Sequence, residues 1–130
     1  MIETIKKYVE IWNTQQTKKL QTVFSQRALY KDALQGGNAI AVLENSIKEI
    51  AIAFPDILFE ICSIIINDDK NCYVLEWVMK GTNTGSFFGA KPTNKVIEIL
   101  GADIIHFEID KVVSIKSFYD SSLFAKQLEL

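Results

Sequence analysis

Histidine and cysteine are nearly missing from the chain, one and two respectively in 130 residues. A transition-metal centre needs several such side chains close together, so the composition argues against a metal. The cysteines do not suit a disulfide either. Cys62 and Cys72 fall on neighbouring predicted strands joined by Asn67-Asp68-Asp69-Lys70-Asn71, a turn that sets Cys72 against about Ile66 and leaves Cys62 too far along. Both are expected as buried thiols. A basic excess is absent as well, since 14 Lys and Arg stand against 16 Asp and Glu for a formal charge of -2. No electrostatic footprint for nucleic acid results, and Lys6-Lys7 and Lys18-Lys19 read as solvated helix faces. Long apolar runs are lacking too. The stretch Ile57 to Ile66 is interrupted by Glu60 and is too short to cross a bilayer. Met1-Ile2-Glu3-Thr4-Ile5-Lys6 mixes acid, base and isolated apolar residues, unlike a signal peptide. The expectation is a cytoplasmic protein with no membrane partner.

What remains is a globular composition, 48% hydrophobic and 23% charged, sufficient for a single domain over residues 1–130 with a core and an internal pocket. Ile2, Ile5, Val9 and Trp12 recur at helical spacing, predicting an amphipathic helix that ends near Asn13-Thr14. A shorter helix, with Thr17 as its candidate cap, turns Leu20, Val23 and Phe24 inward. Ala28 to Asp32 alternates as a short strand that presents Tyr30 and Asp32 on the same side. Gly36-Gly37 breaks the chain and Asn38 can cap the next helix, whose Ile40, Leu43, Ile47, Ile50 and Phe54 share one face until Pro55 stops it. Four predicted strands follow: Ile57 to Ile66, Cys72 to Lys80, Lys95 to Ile109 with a bend at Gly101, and Val112 to Asp120. Short polar turns between most of them favour antiparallel pairing. A final short helix carries Leu123, Phe124 and Leu128. Helices first and strands afterwards indicate an α+β domain with helices packed on one face of a strongly bent sheet.

The organising stretch is Trp77 to Thr93, W-V-M-K-G-T-N-T-G-S-F-F-G-A-K-P-T. Gly81, Gly85 and Gly89 recur at four-residue intervals beside Phe87 and Phe88, so this is not a polar linker but a loop that bends closely and covers apolar surface. It resembles the signature of the SnoaL-like polyketide (ester) cyclase family, a branch of the nuclear transport factor 2-like cone fold. Ala53-Phe54-Pro55-Asp56, Gly101-Ala102-Asp103, Tyr119-Asp120 and Gln127-Leu128 agree with it, and together the matches span nearly the whole chain. Asn83, Asn94 and Asp110 depart from it, standing where many members carry histidine, glycine and glycine. The resemblance implies three N-terminal helices on the bent sheet, a hollow cone used as a ligand pocket, and cyclisation by intramolecular aldol condensation without metal or organic cofactor. It also implies sheet-to-sheet homodimers. The strand Cys72 to Lys80 supports pairing independently, because its face of Cys72, Val74, Glu76 and Val78 is too apolar to be fully wetted.

Such chemistry needs a base beside an acidic C–H and a place for enolate charge. Asp120, the lone His106 and Asp32 are the titratable candidates. Asp120 is either a pocket base or the cap of the last helix, with Ser121 as the competing cap. His106 lies among Ile104, Ile105 and Phe107, where it is either a hydrogen-bonded structural residue or a pocket group. The hairpin decides whether it meets Asp120. A two-residue turn at Asp110-Lys111 puts His106 opposite Ile115 with Asp120 pointing away. A three-residue loop with left-handed Asp110 puts it opposite Val112, roughly 26 Å of straight strand from Asp120. Trp77, Tyr30, Asp32, Phe54, Phe88 and Phe118 are the candidate pocket lining. The expected function is cofactor-independent acid–base chemistry of cyclase, isomerase or dehydratase type on a small hydrophobic carbonyl compound. The alternative is a non-catalytic module that binds a small apolar ligand or serves as a dimeric partner.

Overall fold

The computed structural model describes residues 1–129. Helix α1 spans Ile2–Thr14; of the predicted stripe it buries Ile5 and Val9, half-buries Trp12 and leaves Ile2 exposed, while Tyr8 and Ile11 join the buried face. A 3-10 turn at Thr17–Lys19 leads into α2, Leu20–Val23, with Leu20 and Val23 buried; no side chain caps either, so Thr17 does not serve as a cap. Strand β1 is Phe24–Lys31 and β2 is Gly36–Asn38. The two glycines thus form an edge strand, paired with the end of β1, instead of a simple break. Helix α3, Ala39–Ala53, starts where Asn38 Oδ1 accepts from the Ala41 amide at 3.1 Å and stops ahead of Pro55. Strands β3 (Leu58–Asn67), β4 (Cys72–Thr82), β5 (Val96–Glu108) and β6 (Lys111–Tyr119) follow, and α4 (Ser121–Leu128) closes the chain.

The strands form one curved six-stranded sheet in the order β2-β1-β6-β5-β4-β3. All pairs are antiparallel except β1 with β6, which run parallel. Three reversals from β3 onwards return β6 alongside β1 in the same direction, a pairing that local sequence does not announce. Helices α1, α3 and α4 pack against the sheet, and the core forms between them from residues such as Phe24, Leu43, Phe54, Leu75, Ile99 and Ile115. Among the described residues no helix is long and apolar enough to cross a membrane.

Two register shifts correct the strand readings. The first, between Ile61 and Ser63, leaves Cys62 without a partner and exposed, while Cys72, paired with Asn67, is half-buried. Neither is the buried thiol expected, because the extra residue turns Cys62 out of the alternation. The second, between His106 and Phe107, bulges Val113 out of β6 and sets His106 opposite Ser114, one residue from the first predicted register and two from the second. The turn places Ile109, not Asp110, in the left-handed region (φ 61).

The loop after β4 is pinned by Asn83, which is fully buried. Its Nδ2 donates to the carbonyls of Ala53 (3.1 Å) and Gly85 (2.9 Å), and its Oδ1 accepts from the Thr93 amide (3.0 Å) and hydroxyl (2.9 Å). The backbone alongside adds bonds to Lys95 and Asn94. One amide thereby ties the end of α3 to both sides of the loop. At Gly85 a Cβ would stand 1.7 Å from the Ile52 carbonyl oxygen, so the loop lies against that helix only because no side chain is there. Asn94 takes the left-handed backbone (φ 59), a conformation that glycine adopts freely and asparagine tolerates. Asn83→Ala is expected to cost about 2–3 kcal/mol, since buried partners are left unsatisfied; a urea titration showing less than about 0.5 kcal/mol, the range of an ordinary surface change, would contradict this account of the loop.

Candidate functional site

A cavity of about 330 Å³ lies between the inner face of the sheet and the helices. Strand β5 contributes Asp103 to its wall, on a face whose alternation also buries Ile97, Ile99, Ile105 and Phe107. Asp103 is the acid in that row and is only 4% exposed. Trp77, opposite Gly101 on β4, lays its indole across the neighbouring strand, and a Cβ at Gly101 would stand 2.3 Å from the ring. The bare glycine lets the indole pass, and its Nε1 donates to Asp103 Oδ1 at 3.0 Å. Ser117, opposite Asp103 on β6, supplies a second hydrogen bond. Burial pushes the Asp103 carboxyl up to about 6, and the bonds from Ser117 and Trp77 only partly offset that.

Asp32 anchors a second polar group in the cavity wall. Its Oδ1 accepts from the amides of Leu34 (2.7 Å) and Gln35 (2.9 Å), and its Oδ2 accepts from the hydroxyls of Tyr30 (2.7 Å) and Tyr119 (3.5 Å). Burial raises the Tyr119 hydroxyl to about 12, with the charge of Asp32 adding to it, and raises Tyr30 further. Tyr8, from α1, is raised by burial and by the charge of Asp103, and Trp12 hydrogen-bonds to it. All three tyrosines therefore stay protonated at neutral pH and act as neutral donors. No group of three His, Cys, Asp or Glu side chains able to hold a metal comes together among the described residues.

Of the residues singled out in the sequence, Trp77, Tyr30 and Asp32 line the cavity, and Phe88 stands at its mouth, two-thirds exposed. Phe54 is fully buried behind the wall, packed on Phe87 and Phe124 at 5.8 and 6.5 Å. Phe118 and His106 lie on the outer face of the sheet, opposite Ala102 and Ser114, and are exposed. Asp120 is exposed and caps α4, its Oδ1 accepting from the Ser122 amide (3.0 Å) and hydroxyl (2.6 Å). Those bonds hold its carboxyl below the usual carboxylate range. The structure therefore does not bring Asp120 and His106 together, and neither reaches the cavity. Sequence reasoning passed over Asp103, Tyr8 and Tyr119. The signal was there for Asp103, a charged residue at an inward position of an otherwise apolar strand.

A bent sheet closed by helices over an apolar cavity with a buried carboxyl in its wall defines a cone-shaped α+β domain. The chain belongs to the SnoaL-like polyketide cyclase family, whose model matches residues 2–128. Solved structures of the same fold include AclR from Streptomyces galilaeus, described as a candidate hydroxylase, at TM-score 0.84 and 19% identity over 98% of this chain and 79% of that one. IdmH from Streptomyces antibioticus, described as a candidate polyketide cyclase, aligns at TM-score 0.84 and 16% identity over 98% and 97%. A Catenulispora acidiphila protein with a ketosteroid isomerase-like fold, solved with trimethylamine, aligns at 0.81 and 14% over 98% and 93%. A sequence comparison with curated proteins returns no match.

The position of Asp103 makes stability depend on pH. Below about pH 4 its carboxyl is neutral in folded and unfolded chains alike, so its favourable contribution is fully present. Between about 4 and 6 the unfolded chain ionises while the folded one resists, and stability is lost as pH rises; above about 6 the loss is complete, on the order of 3 kcal/mol. Asp103→Asn is expected to remove that slope and to be the more stable protein, relative to wild type, at pH 7. Parallel urea titrations across this range check it, and identical pH profiles for the two proteins would refute it.

Proposed function

We propose that the chain is a cofactor-independent acid–base enzyme of cyclase or isomerase type that acts on a small hydrophobic carbonyl compound, with Asp103 as the proton-transferring group. The observation that carries this reading is a carboxyl near pKa 6 in the wall of an apolar cavity. At neutral pH such a group is largely ionised and yet basic enough to accept a proton from a carbon beside a carbonyl. The reading is supported by membership in a family of polyketide cyclases and by structural relatives described as polyketide cyclase and ketosteroid isomerase-like.

In the proposed reaction Asp103 removes the α-proton and returns it at another carbon or oxygen. The enolate oxygen accepts from a tyrosine hydroxyl. Tyr8 suits that role because it receives a hydrogen bond from Trp12, is coupled electrostatically to Asp103, and keeps its own proton free to donate. Asp32, whose oxygens already take two amides and two hydroxyls, orients Tyr30 and Tyr119. A binding module without catalysis would use the same apolar walls and no base.

Deuterium uptake from heavy water at the α-carbon of β-tetralone, an enolisable two-ring ketone, separates the two. Asp103→Asn is expected to lower the catalysed rate by at least about 10²-fold and Tyr8→Phe by about 10²-fold, while Asp120→Asn leaves it unchanged. In the wild type kcat/KM falls as pH drops through about 6. Binding without any catalysed exchange would leave the binding module as the function.

We also propose that the protein acts as a homodimer paired through the outer face of the sheet, where Leu58, Ile65, Val96, Leu100 and Phe118 are exposed together with polar neighbours. Sedimentation at micromolar concentration should give twice the mass of one chain, and Leu100→Lys should return it to a monomer. A monomeric wild type would overturn the pairing.

A further inference from the structure

The walls of the cavity limit the size and charge of what it accepts. Its volume is about 330 Å³. Small-molecule pockets run from about 300 to 1,000 Å³, so this one is at the compact end. Aromatic side chains take up the rest of the cone. Phe87 stacks on Phe124 with centroids 5.8 Å and planes 13° apart, Phe54 packs edge-on behind Phe87, and Trp12 leans on Phe59 at 4.8 Å. These rings brace one another, so the wall cannot recede without breaking several contacts at once.

The charges are one-sided. Asp32 and Asp103 line the cavity, and among the described residues no Lys, Arg or His side chain lines it. A ligand carboxylate would shed its water and meet two acids with no cation to replace the lost hydration. A neutral ketone faces no such penalty, because its one polar atom finds the Tyr8 hydroxyl as a donor.

We infer that the substrate is a compact, uncharged carbonyl compound of one or two rings, and that the site discriminates against carboxylate-bearing analogues and against skeletons of three or four fused rings. This rests on the acid–base reading for the carbonyl group, but its limits of size and charge follow from the walls alone. A larger skeleton that pushed its carbonyl to Asp103 would leave much of its apolar surface outside the mouth, in water, beyond Leu34 and Phe88.

Equilibrium binding tests it, read by quenching of Trp12 and Trp77 fluorescence or by calorimetry, with β-tetralone, β-naphthylacetate and progesterone as neutral two-ring, anionic two-ring and neutral four-ring probes. The dissociation constant of β-tetralone is expected to be at least about tenfold below the other two. Equal or tighter binding of either competitor overturns the inference. In Asp103→Asn, where one of the two charges is gone, the handicap of β-naphthylacetate relative to β-tetralone should shrink at least about threefold; an unchanged ratio overturns the argument from charge. Phe124→Ala, or Phe87→Leu should the first fail to fold, should narrow the gap between progesterone and β-tetralone, and an unchanged gap overturns the argument from size. Should deuterium uptake be absent while the binding order holds, the catalytic reading alone fails. Should uptake be present with the order reversed, only the inference on ligand class fails.

Discussion

A tryptophan lying across a bare glycine is the contact on which the interior depends. Trp77 occupies the space that any side chain at position 101 would need, and from there its Nε1 reaches Asp103 one inward position further along β5. The same indole packs edge-on against Phe59 and tilts toward Tyr119, so it joins β3, β4, β5 and β6 on the concave side. An ionisable carboxyl can be tolerated there because its hydrogen-bond partners are held in place by rigid neighbours. It is still incompletely compensated, since two neutral donors do not replace water around a charge, and that shortfall raises its pKa. The stability lost by burying the acid and the rise in its pKa are the same quantity.

The two carboxylates of the cavity illustrate how environment divides roles between identical groups. Asp32 sits at the end of β1 in a turn where two amides and two tyrosine hydroxyls converge on it. Asp103 sits mid-strand among apolar side chains with a tryptophan and a serine. The first is an acceptor hub that positions hydroxyls, and the second is a carboxyl that burial raises above its usual range. Around both, the tyrosines remain neutral because burial and nearby acids raise them.

The loop carrying the family signature works at one remove from this chemistry. Asn83 spends its side-chain hydrogen bonds on Ala53, Gly85 and Thr93 and does not line the cavity. A histidine at that position could not reproduce both the paired donation and the paired acceptance of a planar amide. The departure from the usual pattern thus has a structural use here: it fixes the loop that sets Phe87 against Phe124 and closes the cone.

Much of the fold was legible in the sequence because it rests on local periodicity. The stripes of α1 and α3, the Asn38 cap, the stop at Pro55 and the alternation of β4 each follow from side chains a few residues apart. The site was legible only in part. Trp77, Tyr30 and Asp32 were named from strand alternation and from the signature, whereas Asp103 was passed over although the same alternation turns it inward. Asp120 and His106 attracted attention as chemical types, and local geometry sends the one to a helix N-terminus and the other to the outer face. The sequence by itself therefore determined the elements, the family and the apolar faces, since these depend on neighbours along the chain. Tertiary structure alone decided the parallel pairing of β1 with β6, the bulge that set His106 opposite Ser114, and the passage of the Trp77 indole over Gly101 to Asp103. Those depend on strands far apart in the chain meeting in one register, and a shift of a single residue would turn each side chain to the other face.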